Sequence, residues 1–379
     1  MRDRLFVDIH ILQTVPPSNL NRDDAGSPKH ATYGGVRRAR VSSQAWKRAT
    51  RLAFDGRVPD ENLGVRTKKI SRLLTEAVQA KAGLDAEQAA SLVTAALTPL
   101  DIKPGKKEAD TAYLLFVGRR QLDEIADLIA ERAAELLALP EKDMLAKAKE
   151  IPVTERLRQG HPLDVALFGR MVADIPSLNV DAATQVAHAL STHAVDVEFD
   201  YYTAVDDKNT EDSGAGMIGT VEFNSATLYR YATVGVHQLY ENLSDKEATA
   251  TAVKVFLDAF TRSMPTGHQN SFAHRTLPHL VLVALRADQP VNLVSAFEKP
   301  VLPHRSGIAE ESLVRLASEF TAVSTTWGTE PMLTAATYTP TDTVKDKLVE
   351  AFGPSQAFPE LQDTVRDAVA DWLNRGERE

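Results

Sequence analysis

The apolar positions change period several times along the chain, and each change marks a new kind of element. Leu5 to Leu12 carries Phe6, Ile9 and Ile11, with Asp8 and His10 breaking the run, and this predicts an opening strand. A long loop follows. Pro16-Pro17, Asn21-Arg22-Asp23-Asp24 and Gly26-Ser27-Pro28 hold neither helix nor strand period. Further on a helical period dominates, over Thr67 to Lys81, Asp85 to Leu97 with Asp85 as a cap, Arg119 to Leu139 and Glu141 to Glu150. A basic turn, Lys103 to Lys107, and a short apolar strand, Tyr113 to Val117, interrupt these helices. Asp181 to Ser191 reads as one more helix.

The texture then shifts to alternation. From Asp196 the run V-E-F-D-Y places apolar and polar residues on opposite faces, a polar tract spans Asp206 to Gly214, and Met217, Ile218, Val221 and Phe223 lead back. This predicts a long hairpin with an acidic tip that projects from the body. Ser244 to Met264 reads as a helix capped by Ser244, Leu277 to Leu285 as a strand from the middle of a sheet, and Leu313 to Val323 and Leu361 to Leu373 as helices. Strands far apart in sequence, separated by helical blocks, predict an α+β sheet carrying excursions.

Charge changes this picture at one place. The 379 residues carry 43 Lys and Arg against 52 Asp and Glu, a net charge of -9, so any polyanion contact needs a local patch rather than the average field. Between Ala25 and Phe54 there are seven Lys or Arg and no acid. If Ser42 or Ser43 caps a helix, Gln44, Lys47, Arg48 and Arg51 share one arc, opposite Ala45, Trp46, Ala49, Leu52 and Ala53. The helix N-terminus offers N–H groups to phosphate oxygens, and Gly34-Gly35 suits the close approach of a ligand backbone. The same pattern also fits an ordinary solvated helix face beside a glycine turn.

Catalytic chemistry finds little support. Cysteine is absent, which excludes thiolate nucleophiles and fits a reducing compartment; the N-terminus lacks a signal-peptide pattern and no run approaches a membrane span, so a cytoplasmic location is expected. His188 and His193 are five apart, outside helical zinc-pair spacing, and no phosphate loop, dinucleotide fingerprint or serine-hydrolase elbow occurs. The acid pairs Asp23-Asp24 and Asp206-Asp207 fit either a Mg²⁺ site or solvated loop acids. No cofactor or metal is expected, and the sequence argues for binding more than turnover.

A set of motifs in order, N-R-D-D from Asn21, G-G-V-R-R-A-R-V-S-S-Q-A-W-K-R from Gly34, A-L-F-G-R-M from Ala166, Y-Y-T-A-V-D-D from Tyr201, G-M-I-G-T-V-E-F from Gly216 and P-T-G-H-Q-N-S-F-A from Pro265, resembles the CasC (Cse-type) backbone subunit of the type I-E CRISPR Cascade complex. The resemblance implies an RNA-recognition-motif-like (ferredoxin-like) palm, a helical fingers insertion and a β-hairpin thumb. On it the palm takes residues 1–58, 181–195 (a helix) and 226–379, the fingers 59–180 and the thumb 196–225. It implies a non-enzymatic scaffold that stacks head to tail along guide RNA (crRNA) and presents the guide to a target DNA strand beside other Cascade subunits. Arg22, Arg37, Arg38, Arg40, Ser42, Gln44, Lys47, Arg48 and Arg51 then fall at RNA-backbone positions, with His268 and Gln269 in the nearby loop. Tyr202, Thr203 and Ile218 fall at thumb positions and Met171 at a wedge that flips bases, although core packing is the other reading of Met171. The sequence departs from the family pattern at His268, where lysine would be the more natural phosphate partner. Related backbone subunits that cleave RNA with a loop aspartate leave Asp23 and Asp24 open as catalysts, and a single-copy RNA-binding module is a third reading.

Overall fold

The computed structural model describes residues 4–100, 111, 114–204, 217–303, 305–339 and 343–375. The expected basic turn at Lys103 to Lys107 and the polar tract from Asp206 to Gly214 lie outside the described residues. Two compact units share the chain: residues 1–54, 185–236 and 250–379 form one, and 55–184 with 237–249 form the other.

In chain order the first unit opens with β1 (Phe6–Ser18), β2 (His30–Tyr33), β3 (Val36–Val41) and α1 (Ser43–Leu52). The second unit contributes β4 (Gly64–Thr67), α2 (Ile70–Ala82), α3 (Ala86–Leu97), β5 (Leu115–Gly118), α4 (Arg119–Leu137), α5 (Glu141–Ala148), α6 (Val153–Arg158) and α7 (Leu163–Phe168). There follow β6 (Thr184–Val186), β7 (Ala189–Ser191), β8 (Glu198–Ala204), β9 (Met217–Gly235), α8 (Val236–Leu243), α9 (Lys246–Arg262), α10 (Gln269–Phe272), β10 (Leu280–Arg286), α11 (Gly307–Trp327), β11 (Leu333–Tyr338), α12 (Lys345–Phe352) and α13 (Phe358–Arg375).

The main sheet runs β11-β10-β1-β9-β7-β3-β2, with β6 and β8 also paired to β9. β1 lies between β9 and β10, antiparallel to both, and most of its residues are buried on either face. Asp8 and His10, which break the apolar run, belong to a buried polar network: Asp8 pairs with Arg286 at 3.2 Å and accepts from the Tyr231 hydroxyl at 2.9 Å. One face of the sheet packs Leu12, Tyr231, Leu280 and Leu282 against Leu316 and Phe320 of α11 and Phe352 of α12. The second unit has its own core, where Leu74 and Val78 of α2, Leu92 and Val93 of α3 and Ile125 and Ile129 of α4 meet.

The structure corrects several expectations. Residues 181–195 are not helical: β6 and β7 pair there with β9 and β3, so sheet contacts override the helix propensity of an alanine-rich run. Pro16-Pro17 lie within β1 rather than in the loop, at a register shift against β9 between Val15 and Ser18 where the missing N–H groups cost little. Ser244 does not cap α9; it sits at φ 55°, and the Asp245 carboxylate accepts from the Ala248 N–H at 2.8 Å. Among the described residues, no helix is long and apolar enough to cross a membrane.

Candidate nucleic-acid interface

The basic stretch folds as a hairpin followed by a helix. Gly34 and Gly35 form the β2–β3 turn with φ of 59° and 78°, the left-handed values that a two-residue turn of this hand requires. The close approach expected at Gly34 is made by the protein itself, because a Cβ there would collide with the Glu298 carbonyl. Beside it Arg38 is fully buried and donates to the carbonyls of Tyr33 (3.1 Å), Ser191 (3.0 Å), Phe297 (2.8 Å) and Glu298 (3.1 Å). Burial holds its pKa below the ordinary arginine range. Arg38 therefore ties the hairpin to the 297–298 segment, and its guanidinium faces main-chain oxygens rather than the surface expected of an RNA-contact position.

Ser42 also faces inward, in the capping place expected of Ser42 or Ser43. It is buried as the N-cap of α1, accepting from the Ala45 N–H at 3.3 Å. Its own N–H donates to Asn21 Oδ1 at 2.9 Å, which joins the start of α1 to the 19–29 loop. The helix buries Trp46 and Thr50, while Leu52, expected on the inner arc, is 48% exposed. Trp46 stacks on the buried Arg230 guanidinium of β9 with 3.8 Å from carbon to ring centroid, and Arg230 also donates to Gln13 Oε1 at 2.6 Å and to the Phe260 carbonyl. Burial lowers the Arg230 pKa to about 9. With this face locked, Gln44 and Arg48 are exposed and Lys47 and Arg51 half-buried at the opposite side.

The 19–29 loop is a built structure. Asn19 donates through Nδ2 to the carbonyls of Gly26 and Glu222, both at 2.9 Å, and Arg22 bridges to Pro28 across the loop. Asp23 Oδ1 accepts from the N–H groups of Ala25 (2.9 Å) and Ser27 (3.0 Å). Gly267 packs so tightly on the Asn19 and Leu20 carbonyls that no Cβ would fit, which brings His268 to Arg22. Arg22 Nη1 donates to His268 Nε2 at 3.0 Å, and Gln269 is exposed beside it. Two further pairs repeat this chemistry: Arg37 Nη2 donates to His30 Nδ1 at 3.2 Å, and Arg40 Nη1 to His188 Nδ1 at 3.0 Å. Sequence spacing gave no signal for His30 or His188, since both partners come from strand pairing.

In the second unit, Gly169 ends α7 at φ 75° and Arg170 turns inward, donating to the carbonyls of Leu178 (2.6 Å), Phe116 (3.2 Å) and Leu157 (2.8 Å). Met171, next in sequence, is turned outward and 85% exposed, so core packing does not hold it. The hairpin arm is an extension of β9. Its residues 224–235 pair with β1, whereas Met217 to Phe223 pair with β8 along the register Glu198↔Phe223 to Ala204↔Met217. Tyr202 lies opposite Gly219 and covers the space a Cβ would take, Thr203 is exposed, and Ile218 stands in β9 opposite Thr203. Phe199 and Tyr201 of β8 are both exposed.

Comparison with known proteins places the chain. It belongs to the CT1975-like protein family, which it matches over residues 7–365. A chain of a solved "CRISPR RNA-guided surveillance complex, pre-nicking" is similar to it at 34% identity and a TM-score of 0.82, covering 96% of this chain and 100% of that one. A chain of another "CRISPR RNA-guided surveillance complex" is similar at 30% identity and a TM-score of 0.73, covering 96% and 99% respectively. No curated protein matches the chain.

Proposed function

We propose that this CRISPR surveillance-complex subunit is the non-catalytic backbone that binds guide RNA, of the type I-E CasC kind. The observation that carries the reading is the gathering of Arg22, Arg37, Arg40 and the α1 residues Gln44, Lys47, Arg48 and Arg51 within one unit of an acidic protein. Cations on a fixed hairpin, loop and helix suit a regularly spaced phosphate backbone, and contacts of this kind carry no base sequence. Specificity is then left to pairing between guide and target DNA strand. The first unit serves as an RNA-recognition-motif-like palm, the second as fingers, and the β8–β9 hairpin as a thumb reaching a neighbouring copy in a head-to-tail array. Other Cascade subunits complete the assembly, in the cytoplasm.

The arrangement of Asp23 supports a scaffold over a nuclease, because this carboxylate accepts two N–H groups of its own turn. The deciding experiment is native mass measurement of the protein on guide RNAs of increasing length. Copy number should rise in proportion to length, and a value fixed at one would leave a single-copy binding module. Regular cuts in complementary RNA with Mg²⁺, abolished by Asp23→Ala or Asp24→Ala, would instead make the chain an enzyme.

A further inference from the structure

Among the described residues of the first unit, Arg38, Arg230 and Arg286 are buried arginines, and they meet their surroundings in different ways. Arg286 of β10 faces the Asp8 carboxylate at 3.2 Å, so its charge has a counterion inside the protein. Arg38 has the Glu298 carboxylate within electrostatic reach. Arg230 of β9 meets neutral groups. Its Nη1 donates to Gln13 Oε1 at 2.6 Å and to the Thr261 carbonyl at 3.5 Å, and its Nη2 donates to the Phe260 carbonyl. It lies against the Trp46 and Phe260 rings, with 3.8 and 4.7 Å from the guanidinium carbon to the ring centroids, and its Nε has no hydrogen-bond partner. Among the described residues no carboxylate pairs with it, and burial alone lowers its pKa to about 9, which leaves it charged at neutral pH.

Carbonyl and amide oxygens satisfy the hydrogen bonds of a guanidinium without cancelling its charge. Burying a cation in this way opposes folding, and the opposition is relieved when an anion comes near. Trp46 connects this charge to a surface. The indole is on the inner face of α1, Gln44, Arg48 and Arg51 lie on the opposite arc, and Lys47 is beside them. A phosphate held on that arc is about one helix diameter, or about 10 Å, from the guanidinium. The path between them runs through helix and indole rather than water, so salt screens the attraction weakly. At the effective dielectric of a protein surface, one phosphate at this distance gains about three- to tenfold in affinity from the buried charge.

Resting on the RNA-binding reading above, we propose that Arg230 is a buried positioning residue of the RNA surface: its unneutralised charge acts through α1 and draws phosphates to the arc of Gln44, Lys47, Arg48 and Arg51 without touching them. This role is separate from holding Trp46 in place. An ion pair at the same position would hold the indole equally well and would abolish the attraction. The outer face of α1 then attracts RNA as if it carried one charge more than its exposed side chains supply, in a protein whose net charge of -9 repels polyanions.

The test changes the charge and keeps the arginine. Gln13→Glu and Gln13→Met are close in size, and both remove the amide that donates to the Thr276 carbonyl at 2.8 Å. Only Gln13→Glu gives Arg230 a carboxylate partner. Each full-length variant is titrated with a single-stranded oligouridylate at about pH 7 and fixed ionic strength, after urea unfolding has shown it to be folded under these conditions. Gln13→Glu should bind about three- to tenfold more weakly than Gln13→Met, with most of the difference in the association rate. A purely structural role predicts the opposite order, since the ion pair holds Arg230 against Trp46 more firmly than a thioether does. Arg230→Gln and Arg230→Lys form a second pair that differs in charge and decides the matter if the Gln13 variants do not fold; here Arg230→Lys should bind about three- to tenfold more tightly. Equal affinities within a folded pair, or the opposite order, overturn the electrostatic role and leave the RNA-binding reading intact. Failure of the wild-type protein to bind the oligouridylate overturns both.

Discussion

Neighbouring arginines on β3 meet opposite fates because successive side chains of a strand leave on opposite faces. Arg37 is exposed and meets His30, whereas Arg38 is buried among four main-chain carbonyls. The two residues separate binding from stability. Arg37→Ala should change unfolding free energy by less than about 0.5 kcal/mol, as surface substitutions do, and weaken RNA binding. Arg38→Ala orphans buried acceptors and should cost about 3 kcal/mol in urea unfolding, while the folded fraction keeps most of its RNA affinity. If folded Arg38→Ala loses more RNA affinity than Arg37→Ala, the assignment of Arg38 to the scaffold is wrong.

At the level of elements, display depends on what is anchored next door. α1 can turn Gln44 and Arg48 outward because Trp46 is stacked on Arg230, and the segment after α7 can turn Met171 outward because Arg170 is clamped by three carbonyls. An exposed methionine contributes little to the fold. Met171→Ala should leave the unfolding free energy in urea unchanged to within about 0.5 kcal/mol, whereas a core methionine would cost about 2–5 kcal/mol, and it should alter the spacing of exposed bases in a chemical-probing pattern on bound RNA. A large stability loss would return Met171 to the core. The helical period made α2, α3, α4, α9, α11 and α13 legible in the sequence, and alternation revealed β8 with the lower part of β9. The inner role of Arg38 was not legible, since residue type says nothing about which carbonyls the fold brings near, whereas the cap at Ser42 was one of the two positions that the pattern offered. β6 and β7 were hidden for a related reason: three-residue strands are set by their neighbours β9 and β3 rather than by local preference.

For the whole molecule, the long strand β9 does two jobs that can be cut apart. Residues 224–235 pair with β1 in the central sheet, and Met217 to Phe223 pair with β8. Glu222 must stay, because its carbonyl accepts from Asn19 and so holds the 19–29 loop that carries Arg22. Replacing residues 200–221 by a two-residue Asn-Gly turn between Phe199 and Glu222 thus removes the arm without opening the core. The shortened protein should unfold within about 1 kcal/mol of the wild type, since Asp200 to Thr203 and Gly219 to Val221 are exposed or half-buried. On the proposed function it should also bind short RNA with similar affinity through the first unit, yet lose regular spacing on long guides, since in that proposal neighbouring copies engage through the arm. Native mass measurement on a guide-length series, with nuclease footprinting of the bound RNA, reads both effects. Regular footprints at wild-type spacing from the armless protein would move the spacing function to the palm or to Met171, and the hairpin would then need a different partner.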